Sequence, residues 1–273
     1  MQFQDIFIDL DNTILDFYAT EAEVLGQALA AGGIAPEEDT LALYHHINLR
    51  QWQLLEEGAV SVDEIGVRRF ALLVDALGAD VDATTLAQTY EAMLADACHF
   101  MPGAEALLAA LAPRYRLHLV TNGMASVQYD RIRRAGIDRY FDHLFVSSDI
   151  GAVKPHAAFF DACFAAIPDF ERSRAAILGD GIGSDIRGGI QAGLHTIWYN
   201  QRRVENTTPW QPDAEVYHSC RRAGSAREVG NGVKPSRARL SVLFARGKKQ
   251  FPSLYKRSEG SGAHLPKIKL ESL

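Results

Sequence analysis

Residues 5–17 read DIFIDLDNTILDF, and this stretch combines a strand pattern with two closely spaced carboxylates. Phe7 and Ile8 have the apolar character of a buried β-strand, but Asp9 and Asp11 follow them directly. Two like charges at the end of a buried strand repel each other and are costly to desolvate. A divalent cation between them offsets that cost, and Mg²⁺ prefers one or two carboxylates together with phosphate oxygens and water. The stretch therefore predicts a strand that ends in a metal site.

Two other motifs with similar residues do not fit this sequence. In a calcium loop counted from Asp9, position 6 is Ile14 instead of glycine and position 12 is Thr20 instead of glutamate. The glycines of LGDGIGSD, residues 178–185, do not have the G-x-G-x-x-G spacing of a dinucleotide-binding loop. The sequence therefore supports neither an EF-hand nor a dinucleotide fingerprint.

Short apolar runs alternate with amphipathic stretches from residue 103 to residue 199. This alternation of strand and helix predicts an α/β fold, a doubly wound parallel sheet with helices on both faces. The runs with strand character are IFID at 6–9, LHLVT at 117–121, LFV at 144–146, AAILGD at 175–180 and TIWY at 196–199. Ligands of such sheets bind beyond the carboxyl ends of the strands.

Residues 18–97 interrupt the alternation with four consecutive helical patterns and no strand. Ser61 and Asp82 stand where helix N-caps are expected, and glycines mark the ends of the helices. We therefore expect a small helical-bundle domain over 18–97, inserted into a core domain formed by 1–17 and 98–218.

Composition is that of an ordinary globular protein, with 47% hydrophobic and 23% charged residues. No run approaches the roughly 20 apolar residues that span a bilayer, and the N-terminus lacks a signal-peptide pattern. Cys98, Cys163 and Cys220 are odd in number and in no metal-ligand spacing, which favours a reducing compartment. We expect a cytoplasmic protein without a membrane partner.

The net charge of −6 hides an asymmetry along the chain. Residues 1–218 hold 15 Lys and Arg against 31 Asp and Glu, whereas residues 219–273 hold 13 against 3. The basic tail is rich in Gly, Ser and Pro and has no lasting period, which predicts disorder. A nucleic-acid-binding arm is a less favoured alternative, and an altered reading frame near residue 218 would also explain the abrupt change.

Further polar side chains follow the other predicted strands. Thr121 and Asn122 end one strand, Lys154 precedes Pro155 after the next, and Asp180 and Asp185 follow a third. Because the carboxyl ends of parallel strands meet at one edge, these groups are expected to converge on one site. Thr121, Asn122 and Lys154 suit phosphate oxygens, and the carboxylates suit Mg²⁺. The sequence therefore predicts a site for a phosphorylated ligand and its metal.

The motifs DLDNT, TNG, KP and GD-x4-D resemble, in this order, the four signature motifs of the haloacid dehalogenase-like (HAD) superfamily. The helical block after the first motif resembles that superfamily's helical-bundle cap, on its Rossmann-like core. The resemblance implies that Asp9 is the nucleophile and forms an aspartyl-phosphate. It implies that Asp11 acts as general acid and then base, while Thr121 and Lys154 bind the phosphoryl group.

The same resemblance implies a Mg²⁺ site. Its ligands would be Asp9, Asp180 and the main-chain carbonyl of Asp11, and Asp185 would support the metal through water or Lys154. Gly181 departs from the pattern, because relatives often have Ser or Thr there. Dehalogenases of this superfamily lack the second aspartate, and its ion pumps need a membrane domain, so both branches are disfavoured.

Longer stretches resemble the noncanonical pyrimidine nucleotidases, which are house-cleaning phosphatases. The stretches are NLRQWQLLEEGAVSVDEIGVRRF, TNGMASVQYDRIRRAGIDRYFDHLFVSSDIGAVKP and SDIRGGIQAGLHTIWYN. The match in the helical block includes Asn48, Trp52, Gly58, Arg69 and Phe70. Trp52 and Phe70 also fit plain helix packing, and Phe17 and Tyr18 are candidates for stacking on a base.

These patterns together predict a Mg²⁺-dependent phosphatase for nucleoside 5'-monophosphates, with a preference for pyrimidines. The alternative is a phosphatase for a sugar phosphate or another small phosphoester on the same core. The expected partner is a small phosphorylated metabolite, and the chain is expected to be a monomer or a homodimer.

Overall fold

A central seven-stranded sheet organises the protein, for which a computed structural model describes residues 3–217 and 267–269. In chain order the strands are β1 (Asp5–Asp9), β2 (Arg116–Thr121), β3 (His143–Val146), β4 (Ala175–Gly179), β5 (His195–Tyr199), β6 (Ala214–Tyr217) and β7 (Lys267–Lys269). Their order across the sheet is β3-β2-β1-β4-β5-β6-β7, and all neighbours are parallel. The predicted α/β fold with a parallel sheet is confirmed.

Nine α-helices accompany the sheet in the described part of the chain. They are α1 (Phe17–Ala31), α2 (Glu38–Glu56), α3 (Val62–Leu77), α4 (Ala83–Asp96), α5 (Ala104–Leu111), α6 (Ala125–Arg134), α7 (Ser147–Ile150), α8 (Ala157–Ala166) and α9 (Arg187–Ala192). None of the described helices is long and apolar enough to cross a membrane.

Both faces of the sheet are covered, which is why most residues of its central strands are apolar. In β1, Ile6 and Ile8 belong to a cluster with residues of α5 and α6, whereas Phe7 belongs to a second cluster with residues of α8. Successive side chains of a strand point to opposite faces, so one short run supplies both layers. Asp9 is therefore held at the end of a strand that is fixed from both sides.

The helices α1 to α4 follow β1 directly and form most of a third apolar cluster, to which Val127 of α6 also belongs. Tyr44, Phe70 and Tyr90 meet at its centre, with ring centres 5.2 to 6.0 Å apart. The predicted caps are confirmed: Ser61 forms a capping box with Glu64, and the Asp82 side chain accepts from the Thr85 amide. We call α1–α4 the four-helix insert.

The sequence pattern does not predict β6 or β7. The short β6 extends the sheet by pairing with β5, and the backbone groups on its far side are then available to Lys267–Lys269. An edge strand can pair with a further extended segment through its backbone groups, largely independently of the side chains. Apart from these three residues, the segment 219–273 lies outside the described residues, and its disorder stays a prediction.

Candidate active site

The side chains predicted from four strand ends line one cavity. It has a volume of about 700 Å³ and is bounded by the carboxyl edge of the sheet and by the four-helix insert. The predicted site residues on its wall are Asp9, Asp11, Thr121, Asn122, Lys154, Asp180 and Asp185. β1 lies between β2 and β4, so the chain crosses to the other side of β1 between β3 and β4. Ligands of doubly wound sheets bind at such a switch point.

Lys154 forms the electrostatic centre of the site. Its Nζ donates to Asp9 Oδ1 at 2.6 Å, to Asp185 Oδ1 at 2.8 Å and to the Val120 carbonyl oxygen at 3.0 Å. The side chain is 1% exposed. Burial by itself would lower the pKa of Lys154, but Asp185 and Asp9 raise it above its ordinary value. The lysine therefore stays charged and holds the two carboxylates in place.

Asn122 positions the lysine with its side-chain amide. Its Nδ2 donates to the Lys154 carbonyl oxygen at 2.9 Å, and its Oδ1 accepts from the Lys154 amide at 2.9 Å. Both ends of the Asn122 amide are thus engaged with the lysine backbone. The side chain predicted to bind phosphate contributes here by fixing the loop that carries Lys154.

Burial shifts the pKa values of two carboxyl groups at this edge. Desolvation raises the pKa of Asp9 to about 7, although Lys154 opposes the rise and Asp185 adds to it. Desolvation, together with the charges of Asp9 and Asp185, raises the pKa of Asp180 well above its ordinary value. The described site therefore holds more carboxylates than its own cations stabilise.

The donor set fits a divalent cation. Carboxylate oxygens of Asp9, Asp180 and Asp185 lie within 4.8 Å of one another. Hard oxygen ligands at this spacing suit Mg²⁺, and its charge would offset the desolvation that raises the carboxyl pKa values. Asp185 already pairs with Lys154, and its Oδ2 accepts from the Gly181 amide at 3.0 Å. These contacts agree with the supporting role expected for Asp185.

Gly179 is required by the close approach of Asp185 to the end of β4. A Cβ added at Gly179 would lie 2.4 Å from the Asp185 carboxyl group. Real Cβ atoms do not approach other atoms so closely, so any larger residue would displace the carboxylate that binds Lys154. The glycine before Asp180 thus serves the packing of the site.

Asp11 is held by two residues of α6 that the sequence did not single out. Arg131 Nη1 donates to Asp11 Oδ1 at 2.6 Å, and Gln128 Nε2 donates to Asp11 Oδ2 at 2.8 Å. Gln128 and Arg131 are 4% and 1% exposed. A detectable signal was their i, i+3 spacing on the buried side of an amphipathic helix, where apolar residues are the rule.

Aromatic and polar side chains of the insert form the opposite wall of the cavity. Phe17, Tyr18 and Trp52 line it, whereas Phe70 lies fully buried within the insert and is a packing residue. Glu21 is held there by three contacts. It accepts from Asn48 Nδ2 at 3.3 Å and from the Tyr90 hydroxyl at 3.1 Å, and it lies 3.1 Å from His45 Nδ1. The wall thus combines ring faces with hydrogen-bonding groups.

Comparison with known proteins agrees with this geometry. Residues 6–199 match the family model described as haloacid dehalogenase-like hydrolase. The chain is 36% identical over 218 residues to the pyrimidine 5'-nucleotidase PynA of Streptococcus pneumoniae, which covers 80% of this chain and 92% of that protein. It is 30% identical over 205 residues to the pyrimidine 5'-nucleotidase YjjG of Escherichia coli, covering 75% and 89%.

A solved structure is also similar to this chain. The HAD-hydrolase YfnB from Bacillus subtilis, crystallised bound to magnesium, is 35% identical and superposes with a TM-score of 0.74. The match covers 79% of this chain and 94% of that one. The chain belongs to the haloacid dehalogenase-like hydrolase family, which confirms the resemblance inferred from the four motifs.

Proposed function

We propose that this haloacid dehalogenase-like hydrolase is a Mg²⁺-dependent phosphatase that acts on nucleoside 5'-monophosphates and prefers pyrimidines. The observation that carries the proposal is the Asp9 carboxylate, which lies against the Lys154 ammonium in the cavity, with Asp11 two residues further on. A carboxylate beside a fixed cation can attack a phosphoryl group, because the cation offsets the repulsion between the two anions. The enzyme is a phosphoric monoester hydrolase.

In the proposed first step, an Asp9 carboxylate oxygen attacks phosphorus and the bond from phosphorus to the ribose 5'-oxygen breaks. Asp11 donates a proton to that oxygen, so the nucleoside leaves as a neutral alcohol. In the second step, water attacks phosphorus of the aspartyl-phosphate and Asp11 accepts its proton. Inorganic phosphate leaves and Asp9 is regenerated. Lys154 and the Thr121 hydroxyl hold phosphoryl oxygens in both steps.

Mg²⁺ would be held by Asp9, Asp180 and the main-chain carbonyl of Asp11, with Asp185 supporting the site. When bound, the ion neutralises charge on the transferring phosphoryl group. The protein's own contribution is to hold Asp9 and Asp185 beside Asp180, through Lys154 and the Gly181 amide.

The four-helix insert is proposed to act as a cap domain that selects the leaving group. Groups at the sheet edge touch only the phosphate and the metal, so discrimination has to come from the opposite wall. That wall offers the rings of Phe17, Tyr18 and Trp52 for stacking and the Glu21–His45 pair for hydrogen bonds. The relatives named as pyrimidine 5'-nucleotidases support a pyrimidine base as the ligand of this wall.

Phosphate release from a substrate panel tests the proposal. We expect kcat/KM for UMP and dTMP to exceed that for AMP and GMP by about 10- to 200-fold, because pocket fit discriminates only modestly. Sugar phosphates serve as the comparison class, and Asp9→Asn controls for contaminating phosphatases. Faster hydrolysis of a sugar phosphate than of every pyrimidine nucleotide would replace this proposal with the sugar-phosphate alternative.

A further inference from the structure

The side-chain amide of Gln128 lies between two groups that the proposed reaction uses. Its Nε2 donates to Asp11 Oδ2 at 2.8 Å and to the Thr121 hydroxyl oxygen at 2.8 Å. One amide nitrogen has two hydrogens, and both are therefore committed. The acid–base carboxyl and the phosphate-binding hydroxyl are thus tied to a single NH₂ group.

Arg131 determines which way the Gln128 amide faces. Its Nη1 donates to Gln128 Oε1 at 2.9 Å as well as to Asp11 Oδ1 at 2.6 Å. A guanidinium can only donate, so the amide oxygen has to face Arg131 and the NH₂ group has to face Asp11 and Thr121. The reversed amide would present its oxygen to the carboxylate and its NH₂ group to Arg131, and would lose both of those hydrogen bonds.

The bond from Gln128 also fixes the direction of the Thr121 hydroxyl. Since the hydroxyl oxygen accepts from Gln128, its own hydrogen is available to donate elsewhere. Among the described residues, this is the one hydrogen bond of that hydroxyl. Thr121 lies on the cavity wall, so a phosphoryl oxygen in the cavity is the acceptor that this arrangement favours. A hydroxyl can donate or accept a hydrogen bond. The Gln128 amide thus leaves the Thr121 hydroxyl as a donor towards the cavity.

Asp11 keeps the capacity to act while it is held. Each carboxyl oxygen has two lone-pair positions, and Arg131 and Gln128 occupy one on each oxygen. A proton on Asp11 can therefore point into the cavity while both hydrogen bonds persist. Asp11 retains 24% of its side-chain exposure, in contrast to the buried residues that hold it. The contacts constrain the direction of the carboxyl group and leave it accessible.

The room for this amide comes from the glycine of the TNG motif. A Cβ added at Gly123 would lie 2.7 Å from Gln128 Nε2. A larger residue at position 123 would therefore push the amide away from Thr121 and Asp11. The strand end and helix α6 are thus fitted to each other around Gln128.

We propose that Gln128, oriented by Arg131, is a positioning residue that aims the Asp11 carboxyl group at the leaving oxygen and the Thr121 hydroxyl at the phosphoryl group. This inference rests on the proposed phosphatase function. It predicts that loss of the Gln128 amide lowers kcat/KM most for substrates whose leaving group needs a proton.

The test compares Gln128→Leu with wild type on two phosphate esters. UMP, or the alkyl ester hydrolysed fastest in the panel, needs a proton on its leaving oxygen, whereas p-nitrophenolate leaves without one. General acid catalysis contributes about 10²- to 10⁴-fold, so we expect kcat/KM for UMP to fall at least about tenfold more than that for p-nitrophenyl phosphate. Misdirection of Thr121 should also weaken inhibition by inorganic phosphate to the same extent with both substrates.

Two further variants separate positioning from general damage to the fold. Ile132→Val removes one buried methylene from the same helix and leaves the hydrogen bonds of Gln128 intact. It should change kcat/KM by the same factor for both substrates. Gln128→Glu keeps the size and the contact with Arg131 but removes both donors, so it should show the same leaving-group dependence. Thermal melts followed by circular dichroism show whether each variant is folded.

The outcomes distinguish this inference from the proposed function. If wild type hydrolyses neither ester, or if Asp9→Asn retains activity, the proposed function fails. The other case is that wild type is active, and that Gln128→Leu and Gln128→Glu are folded. If kcat/KM then falls by the same factor for both esters, the positioning role is overturned while the phosphatase function remains.

Discussion

Replacing Lys154 by methionine is expected to lower the free energy of unfolding by about 3–5 kcal/mol, because it breaks a buried charge cluster from one side. The ammonium contacts Asp9 at 2.6 Å and Asp185 at 2.8 Å, and these carboxylates are 6% and 1% exposed. Methionine fills much of the same volume, so the loss reports the missing charge and hydrogen bonds more than a cavity.

Asp9 and Asp185, which lose their cation in this variant, do not contribute equally to the loss of stability. Burial already raises the pKa of Asp9 to about 7, so near neutral pH Asp9 can become neutral at little further cost. Asp185 is almost fully buried and loses its cation, and most of the penalty is assigned to it. One uncompensated buried charge is the case to which the estimate of about 3–5 kcal/mol applies. In a domain of this size it corresponds to a fall in Tm of roughly 6–20 °C.

Urea unfolding in the presence of EDTA, followed by far-UV circular dichroism, measures the effect. Arg50→Met is the matched control, because the pair of Arg50 with Glu57 spans 3.0 Å between side chains that are about half exposed. Exposed pairs contribute about 0–1 kcal/mol. The double variant Lys154→Met/Asp185→Asn removes the stranded charge and should recover at least half of the loss. If Lys154→Met unfolds at the same urea concentration as Arg50→Met, Lys154 does not stabilise a buried charge cluster with Asp9 and Asp185.

Three further outcomes are expected. Burial lowers the pKa of His118 despite its contact with Asp5. The unfolded chain therefore binds a proton that the folded chain resists, and the free energy of unfolding should fall as the pH drops below about 6.5; His118→Gln should flatten this dependence in urea titrations at several pH values. Ser61→Ala removes the cap of α3 and should cost about 1 kcal/mol in thermal unfolding, whereas an unchanged Tm would contradict the capping geometry. Dialysis against EDTA should abolish phosphate release from UMP, and Mg²⁺ but not Ca²⁺ should restore it, because Mg²⁺ suits a site with few carboxylates and phosphate oxygens.

The strand ends of this fold are predictable because their signal is local. Three of the apolar runs end in a polar residue whose chemistry is evident from the chain itself, namely Asp9, Thr121 and Asp180. Parallel topology then brings such residues to one edge without any knowledge of packing. The caps at Ser61 and Asp82 are predictable for the same reason, since capping depends on residues three positions apart.

Other features depend on contacts between distant segments and carry no comparable signal. Gln128 and Asp11 are 117 positions apart, and only the packing of α6 against the sheet edge brings them together. The engagement of the Asn122 amide with the Lys154 backbone likewise follows from the loop conformation. The edge strands β6 and β7 are not predicted from the sequence, because pairing at a sheet edge depends on free backbone N–H and C=O groups more than on the side-chain pattern.

Chemical trapping of the phosphorylated enzyme tests the proposed aspartyl-phosphate mechanism. Wild-type protein is quenched in acid during turnover of UMP, treated with borohydride to reduce any acyl phosphate to an alcohol, digested and mapped by mass spectrometry. The proposed mechanism predicts that Asp9 alone is converted to homoserine, and that the conversion requires both Mg²⁺ and UMP. Phosphate release at the wild-type rate with Asp9 unmodified, or continued turnover by Asp9→Asn, would contradict it.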